Sequence, residues 1–387
     1  ADAIAADGRR FVRWLQALGT RFMKISPAAY HNWVLAPPRP VRPGLDWKGR
    51  GADVALRVLD KNLSQRGGTV HRDTEVIELM VDKGVCVGVL ARQGSAEVEF
   101  RARAVVLADG GFQGNGAMVA QSISPAPQSL KQRGAGTGMG DALRMARAAG
   151  AAISDLQAFY GHVLSRDAMV NDRVWPYPQL DELAAAGIVV NRAGHRITDE
   201  GMGGVYIANH IARQADPLNT TVIFDEAIWQ GPGRAAAIPP NANLLTAGGT
   251  LHKANTLPSL AASLNMDASA LEATVKAYNA ALASGDTRLL QPTRSATRRK
   301  PMPISAAPFY GAPACAGLTY TMGGVRINAH AEVLREDLTS IPGLYAAGAA
   351  TGGLEGGPAV GYVGGLVKAL TFGLLAAERA ATQQKRA

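Results

Sequence analysis

The chain has 387 residues, 47% of them hydrophobic and 18% charged, with 44 glycines. That length suits one large or two medium domains, and the composition excludes a disordered or fibrous protein. The net charge of +9 points to anionic partners, but the densest basic run, Arg298 to Lys300, is short and has no aromatics interleaved. A small anionic ligand is therefore expected before nucleic acid.

In chain order, the first residues place Phe11, Leu15 and Leu18 at helical spacing on one face. Ala36 to Gly44 is a proline-rich loop. A second helix is expected from about Asp53, closed by Gly67 and Gly68. A series of strands follows, with turns at Lys83-Gly84 and Gln93-Gly94. The last of them, "AVVLA", is continuously apolar and predicts a strand buried on both faces. Glycines 136, 138 and 140 then open a helix that ends at Gly150.

Between Leu156 and about Ala314 the pattern changes to short strands, frequent prolines and isolated helices. This reads as a second domain, 157–314, inserted into a discontinuous α/β domain formed by 1–156 and 315–387. Cys86 and Cys315 lie far apart, with no histidine at ligand spacing, so no metal site is expected. No apolar run reaches the length of a transmembrane helix, and the N-terminus lacks the order of a secretory signal, so the cytoplasm is the expected compartment. The first residue is Ala1 and not Met, which suggests a mature product or a fragment.

Four segments share one design, a strand followed by glycines and, in most cases, a helix start: "VVLADGGFQGN", "GTGMGDALRMA", "TYTMGGVRI", and the run "IPGLYAAGAATGGLEGGPAVGYVGGLVKALTFG" from Ile341 to Gly373. Such turns let backbone N–H groups approach an anionic or flat polar ligand, with a helix N-terminus behind them. Together with "GIVVNRAGHRITDE" (Gly187 to Glu200), they resemble the flavoprotein subunits of the fumarate reductase and succinate dehydrogenase superfamily. That group also holds ketosteroid dehydrogenases and tricarballylate dehydrogenases. The resemblance runs from about Gly51 to Ala377.

The resemblance implies a Rossmann-like FAD-binding domain with an inserted α+β cap and non-covalent FAD. The family's opening strand, G-x-G-x-x-G turn and helix have no counterpart here, so the FAD-binding domain is expected to be N-terminally incomplete. The implied cofactor contacts are Val76, Ala108, Asp109, Gly110, Gly111, Gly138, Asp141, Met322, Gly323, Gly324, Ala347, Gly348, Thr351, Gly352 and Gly353.

The family's catalytic arginine would fall near Gly204, and its substrate-clamping arginine is absent from "GGPAVGYVGG". The family histidine before "TMGG" is Tyr320 here, while His162 is retained. Tyr320, His162 and Tyr160 are thus the expected catalytic residues. Arg166, Arg173 and Tyr177, in one loop with Trp175, are the expected substrate contacts, since a guanidinium binds a carboxylate in bidentate fashion.

The function implied is FAD-dependent oxidation or reduction of a C–C bond next to a carboxylate or carbonyl. The loop of Arg166 and Arg173, with "EGGPAVGYVGG", resembles the tricarballylate dehydrogenase-like branch more than the respiratory branch. Electrons would pass to or from a separate partner. The alternative is a catalytically inactive remnant that acts as a binding module.

Overall fold

The computed structural model describes residues 1–24, 33–36, 50–174, 179–235, 239–296 and 300–383. Helix α1 (Asp2–Ala17) buries Phe11 and Leu15, as its periodicity predicts. Strands β1 (Phe22–Lys24) and β2 (Trp33–Leu35) form an antiparallel ribbon. Helix α2 (Arg50–Gln65) starts slightly before Asp53 and stops just short of the two glycines.

Strands β3 (Thr74–Asp82), β4 (Val85–Gln93) and β5 (Ala96–Arg101) form an antiparallel meander. The β3–β4 turn puts both Lys83 and Gly84 in the left-handed region, the geometry that matches strand twist in a two-residue hairpin. The β4–β5 turn is one residue later than the sequence suggests. Gln93 still pairs with Ala96, which leaves Gly94 and Ser95 to turn.

Strand β6 (Val105–Leu107) departs from expectation. Leu107 is buried, but Val106 is 42% exposed, so the strand is covered on one face only. Among the described residues its sheet contains two further strands, Ser340–Ala346 beside it and Glu332–Leu334 beyond that, which leaves β6 at the edge. An apolar run therefore reported strand character without reporting cover on both faces.

Helix α3 (Gly116–Ser122) is capped by the Asn115 side chain. After β7 (Lys131–Gln132) comes α4 (Asp141–Ala148), whose own N-cap, Gly140, has no side chain to offer. Asp109 fills that role from the end of β6, accepting the Ala142 N–H at 2.9 Å.

The largest sheet follows. It uses β8 (Phe159–Ser165), β9 (Ile188–Asn191), β10 (Thr220–Asp225), β11 (His252–Ala254) and β12 (Phe309–Thr321), with β7 also paired to β12. Helices α5 (Asp181–Ala186), α6 (Gly204–Ala212), α7 (Glu226–Gln230), α8 (Pro232–Ala235), α9 (Pro240–Thr246), α10 (Leu257–Ser263) and α11 (Ala268–Ser284) lie between those strands in the chain. The 13-residue β12 is the spine. Its first half pairs with β10 and β11, and its second half with β8 and β7. The β8 register sets Tyr320 opposite Tyr160 and Gly317 opposite His162, with an irregularity between Leu318 and Tyr320.

Beside β9, the fully buried Glu200 carboxylate holds two arginines. Arg196 reaches it at 2.5 and 3.1 Å, and Arg294 at 3.7 Å. Both guanidiniums also donate to carbonyls, of Pro292 and Thr198 in one case and Ala185 in the other. The chain closes with β13 (Glu332–Leu334), β14 (Ser340–Ala346) parallel to β6, and the 19-residue α12 (Gly365–Gln383) packed on α1.

Candidate active site

Alternation along β8 puts Tyr160 and His162 on one face. Asp181, at the start of α5, fixes the histidine. Its Oδ2 lies 2.5 Å from His162 Nδ1, while Oδ1 accepts the Val163 N–H at 2.8 Å. An ionised Asp181 assigns the proton to Nδ1, which leaves Nε2 to accept from the Tyr160 hydroxyl at 3.0 Å. Tyr160 in turn stacks on Tyr362, with ring centroids 3.9 Å apart and planes within 12°. Burial, with the Tyr362 hydroxyl second, pushes the Tyr160 phenol well above the ordinary tyrosine range; Arg133 opposes this.

The Tyr320 ring is 5.5 Å from that of Tyr160. Its hydroxyl lies 3.0 Å from both oxygens of Glu355. Glu355 Oε2 is 2.7 Å from Lys368 Nζ, and the two side chains are 0% and 1% exposed. Oε1 also accepts the Val363 N–H at 3.1 Å. The lysine stem crosses from the first turn of α12, its ammonium 5.4 Å from the Tyr320 ring centre and 3.4 Å from the Thr351 carbonyl. Burial first, then the Glu355 charge, drives the Tyr320 phenol far upward. Tyr320 is held neutral as a hydrogen-bond donor and potential acid. Three phenols and one imidazole thus converge, anchored at one end by Asp181 and at the other by the Glu355–Lys368 pair.

The glycine turns adjoin this cluster. The parallel β6–β14 pair ends with the Ala347 N–H donating to the Leu107 carbonyl at 2.9 Å, so the turns after both strands lie side by side. A ligand crevice belongs at such carboxyl ends. Gly110 and Gly353 have φ near +103° and +90°, and the space where a Cβ would stand is almost empty. The flat ring system of a flavin fits against such bare backbone, and the neighbouring phenols and imidazole suit its chemistry. Those two turns and the start of α12 would hold it. Among the described residues there is no strand–G-x-G-x-x-G–helix unit for a pyrophosphate.

The remaining expected contacts divide by surroundings. A Cβ on Gly111 would meet the Thr321 hydroxyl, on Gly138 the Gln113 amide, on Gly323 the Asp155 carbonyl, on Gly324 the Ala350 carbonyl, and on Gly352 the Ser154 hydroxyl. Tight packing within the protein accounts for glycine at those five positions. Gly348 opens a 3-10 turn whose Thr351 hydroxyl donates back to its carbonyl. Ala347 and Met322 are buried, and Met322 packs with Ala158 and Val360. Ala108 is exposed, Asp109 caps α4, and Asp141 pairs loosely with Arg144 at 3.6 Å. Val76 lies in β3, paired with Ala91 and packed against the main core.

The structure brings Tyr160, His162 and Tyr320 together but does not bring Arg166 or Arg173 into hydrogen bonds with them. Both arginines are exposed, and each donates to a carbonyl, of Leu218 and Thr246 respectively. Tyr177, with Trp175, lies outside the described residues. Sequence reasoning missed Asp181, Glu355, Tyr362 and Lys368. A signal existed for two of them: Lys368 is the one charge in the first three turns of the last helix, and Glu355 is the one charge in the glycine run before it.

Similarity to known proteins agrees with this geometry. A family model described as FAD binding domain matches residues 1–361. A fumarate reductase (cytochrome) from Shewanella frigidimarina is 30% identical over 344 residues, spanning 87% of this chain and 56% of that protein. A 3-oxosteroid 1-dehydrogenase from Mycobacterium tuberculosis is 31% identical over 368 residues, spanning 87% of this chain and 63% of that protein. The chain therefore spans less than two thirds of the length of these curated relatives. In fold it is similar to 3-ketosteroid-delta4-(5alpha)-dehydrogenase from Rhodococcus jostii RHA1, with a TM-score of 0.66 and 24% identity over 98% of this chain and 79% of that one. Matched by the family model over nearly its whole length, and 30% and 31% identical to these two relatives over the aligned regions, the chain belongs to the FAD binding domain family of the fumarate reductase and 3-oxosteroid dehydrogenase flavoproteins.

Proposed function

We propose that the protein is an FAD-dependent oxidoreductase that adds hydrogen to, or removes it from, a C–C bond next to a carbonyl or carboxylate. The observation that carries this reading is the convergence of Tyr160, His162 and Tyr320, with Tyr362, beside the glycine turns that follow β6 and β14. FAD, when bound, supplies the hydride chemistry. The chain's own groups supply the rest. The Tyr320 hydroxyl, kept neutral by burial and by Glu355, exchanges a proton with the substrate carbon. Tyr160, oriented by His162 and through it by Asp181, donates a hydrogen bond to the substrate's polar oxygen.

Hydroxyl donors of this kind suit a carbonyl oxygen at least as well as a carboxylate. A tricarballylate dehydrogenase-like specificity, with Arg166 and Arg173 on the carboxylates, is supported by the sequence of that loop alone. The division into 1–156 with 315–387 and an inserted 157–314 rests on the sequence pattern; β12 runs unbroken across its 314/315 boundary, and β8, from the inserted segment, pairs along the second half of that strand. Electrons would be exchanged with a separate partner. An inactive remnant is the weaker reading, because it gives no reason to keep the Glu355–Lys368 ion pair buried against a tyrosine, where desolvation is expensive.

The test is a visible absorption spectrum of the chain titrated with FAD. Near-stoichiometric bound-flavin bands, bleached by a reductant and restored by an unsaturated carbonyl compound or carboxylate, support the proposal. Absence of bound flavin at saturating FAD would defeat it for this chain.

A further inference from the structure

We propose that Lys368, Glu355 and Tyr320 form a proton relay that ends at the Tyr320 hydroxyl and supplies the proton when a C=C bond is reduced. This rests on the reading above, in which Tyr320 meets the substrate carbon. The three groups are contiguous, with Nζ 2.7 Å from Oε2 and the phenol oxygen 3.0 Å from both carboxylate oxygens. The ion pair is buried, so during transfer the proton passes along the hydrogen bonds of these groups and not through bulk water.

Charge explains why Tyr320 needs its partners. If Tyr320 gave up its proton alone, a phenolate would be left 3.0 Å from the Glu355 carboxylate, two like charges in a poorly solvated place. Moving a proton along the chain removes that penalty. As the C–H bond forms, the Tyr320 O–H bond breaks. Tyr320 takes a proton from Glu355, and Glu355 takes one from the Lys368 ammonium. The lysine ends neutral, Glu355 ends anionic, Tyr320 ends as a phenol, and solvent later restores the ammonium. The alkene gains this proton on one carbon and, on the other, the hydride that reduced FAD supplies when bound, its electrons coming from an external donor.

As the pair stands, the proton is on the lysine and the relay is loaded for delivery. The other charged or titratable groups facing Tyr320 are Tyr160 and, through it, His162 and Asp181 from β8 and α5, and Tyr362 from the loop before α12. Arg133, after β7, acts on Tyr160. None of these contacts Glu355 through a hydrogen bond among the described residues other than Tyr320.

The test uses the full chain loaded with FAD, reduced anaerobically and mixed with an α,β-unsaturated ketone or an α,β-unsaturated carboxylate. Flavin reoxidation is followed across pH. In the wild type the rate should fall on the alkaline side, where the relay has no proton to deliver. Lys368→Met and Glu355→Gln should each slow reoxidation by about 10²-fold or more and abolish that alkaline limb. Because either single variant leaves one buried charge unpaired, the double variant Glu355→Gln/Lys368→Met, which removes both, is tested beside them.

A flavin-free measurement accompanies the kinetics, namely the phenolate absorbance of the apo chain during alkaline titration. Glu355→Gln should bring one phenol to a lower pH, and adding Tyr320→Phe should delete that step. Variants that bind FAD and keep both the wild-type rate and its alkaline limb would overturn the relay while the oxidoreductase reading stands, and so would an unmoved phenol step. A wild type that no acceptor reoxidises would overturn the reading and the relay together.

Discussion

Two buried carboxylates in this molecule look alike in chemistry and differ in use. Glu200 and Glu355 are both shielded from water and both ion-paired. Around Glu200 every partner is consumed by the fold. Its oxygens take two arginines and the Val189 N–H, the arginines donate to carbonyls of neighbouring loops, and the Tyr278 phenol beside Arg294 itself donates to the Ala186 carbonyl. Around Glu355 the network ends in the Tyr320 hydroxyl, which belongs to a cluster of phenols and an imidazole beside the glycine turns. Burial and ion pairing are therefore poor markers of a functional site. The marker is a network that terminates in a reactive group instead of in backbone.

The sharpest way to break this comparison is to remove Glu200. Glu200→Ala leaves two arginines without their counter-charge and should cost about 3–5 kcal/mol of stability, read from the denaturant midpoint. The flavin reaction per folded molecule should not change. A change in turnover without a loss of stability would erase the distinction drawn here.

The glycines offer a second comparison of the same kind. Gly324→Ala drives a Cβ into the Ala350 carbonyl, a backbone atom that cannot swing aside, and should cost about 1–3 kcal/mol. Gly353→Ala meets no such obstacle, only an unfavourable positive φ, and should cost about 1–2 kcal/mol while weakening FAD binding more than its stability loss explains. Equal effects of both on FAD binding would contradict the division into packing glycines and open ones.

A smaller effect is expected from pH. His210 in α6 stacks on Tyr206 with centroids 4.3 Å apart. Burial first, then the charge of Arg213, lowers its pKa below the ordinary value of 6.5. A depressed folded pKa means that the unfolded chain binds the proton more readily. The contribution is therefore fully present above 6.5 and is lost as pH falls toward the folded value. Chemical denaturation of the wild type should show stability declining through that window, and His210→Gln should flatten the decline. Least of all should matter the exposed pair of Arg92 and Glu75 at 3.1 Å. Arg92→Ala should stay within about 0.5 kcal/mol of the wild type.

Much of the fold was legible in the sequence where the signal is local. Phe11 and Leu15 marked the buried stripe of α1, Lys83-Gly84 marked a hairpin, and Gly150 marked the end of α4. The double burial expected of Val105 to Leu107 was not, because cover over a strand's faces is set by elements distant in the chain. The same limit applies to the site. Tyr160, His162 and Tyr320 could be named from short motifs. Asp181 lies 19 residues from His162, and Glu355 lies 35 from Tyr320. Only the pairing of β8 with β12 and the return of α12 bring these groups within reach. Arg166 and Arg173, named as substrate contacts from residue type and loop composition, are exposed and donate to the carbonyls of Leu218 and Thr246.

The most direct test of the central claim is single-turnover reoxidation of the FAD-loaded, reduced chain by an α,β-unsaturated carbonyl compound, comparing the wild type with Tyr320→Phe. The wild type should be reoxidised, the variant should be slower by about 10²–10⁴-fold, and FAD binding should change little between the two. Equal reoxidation rates in both proteins would contradict the claim.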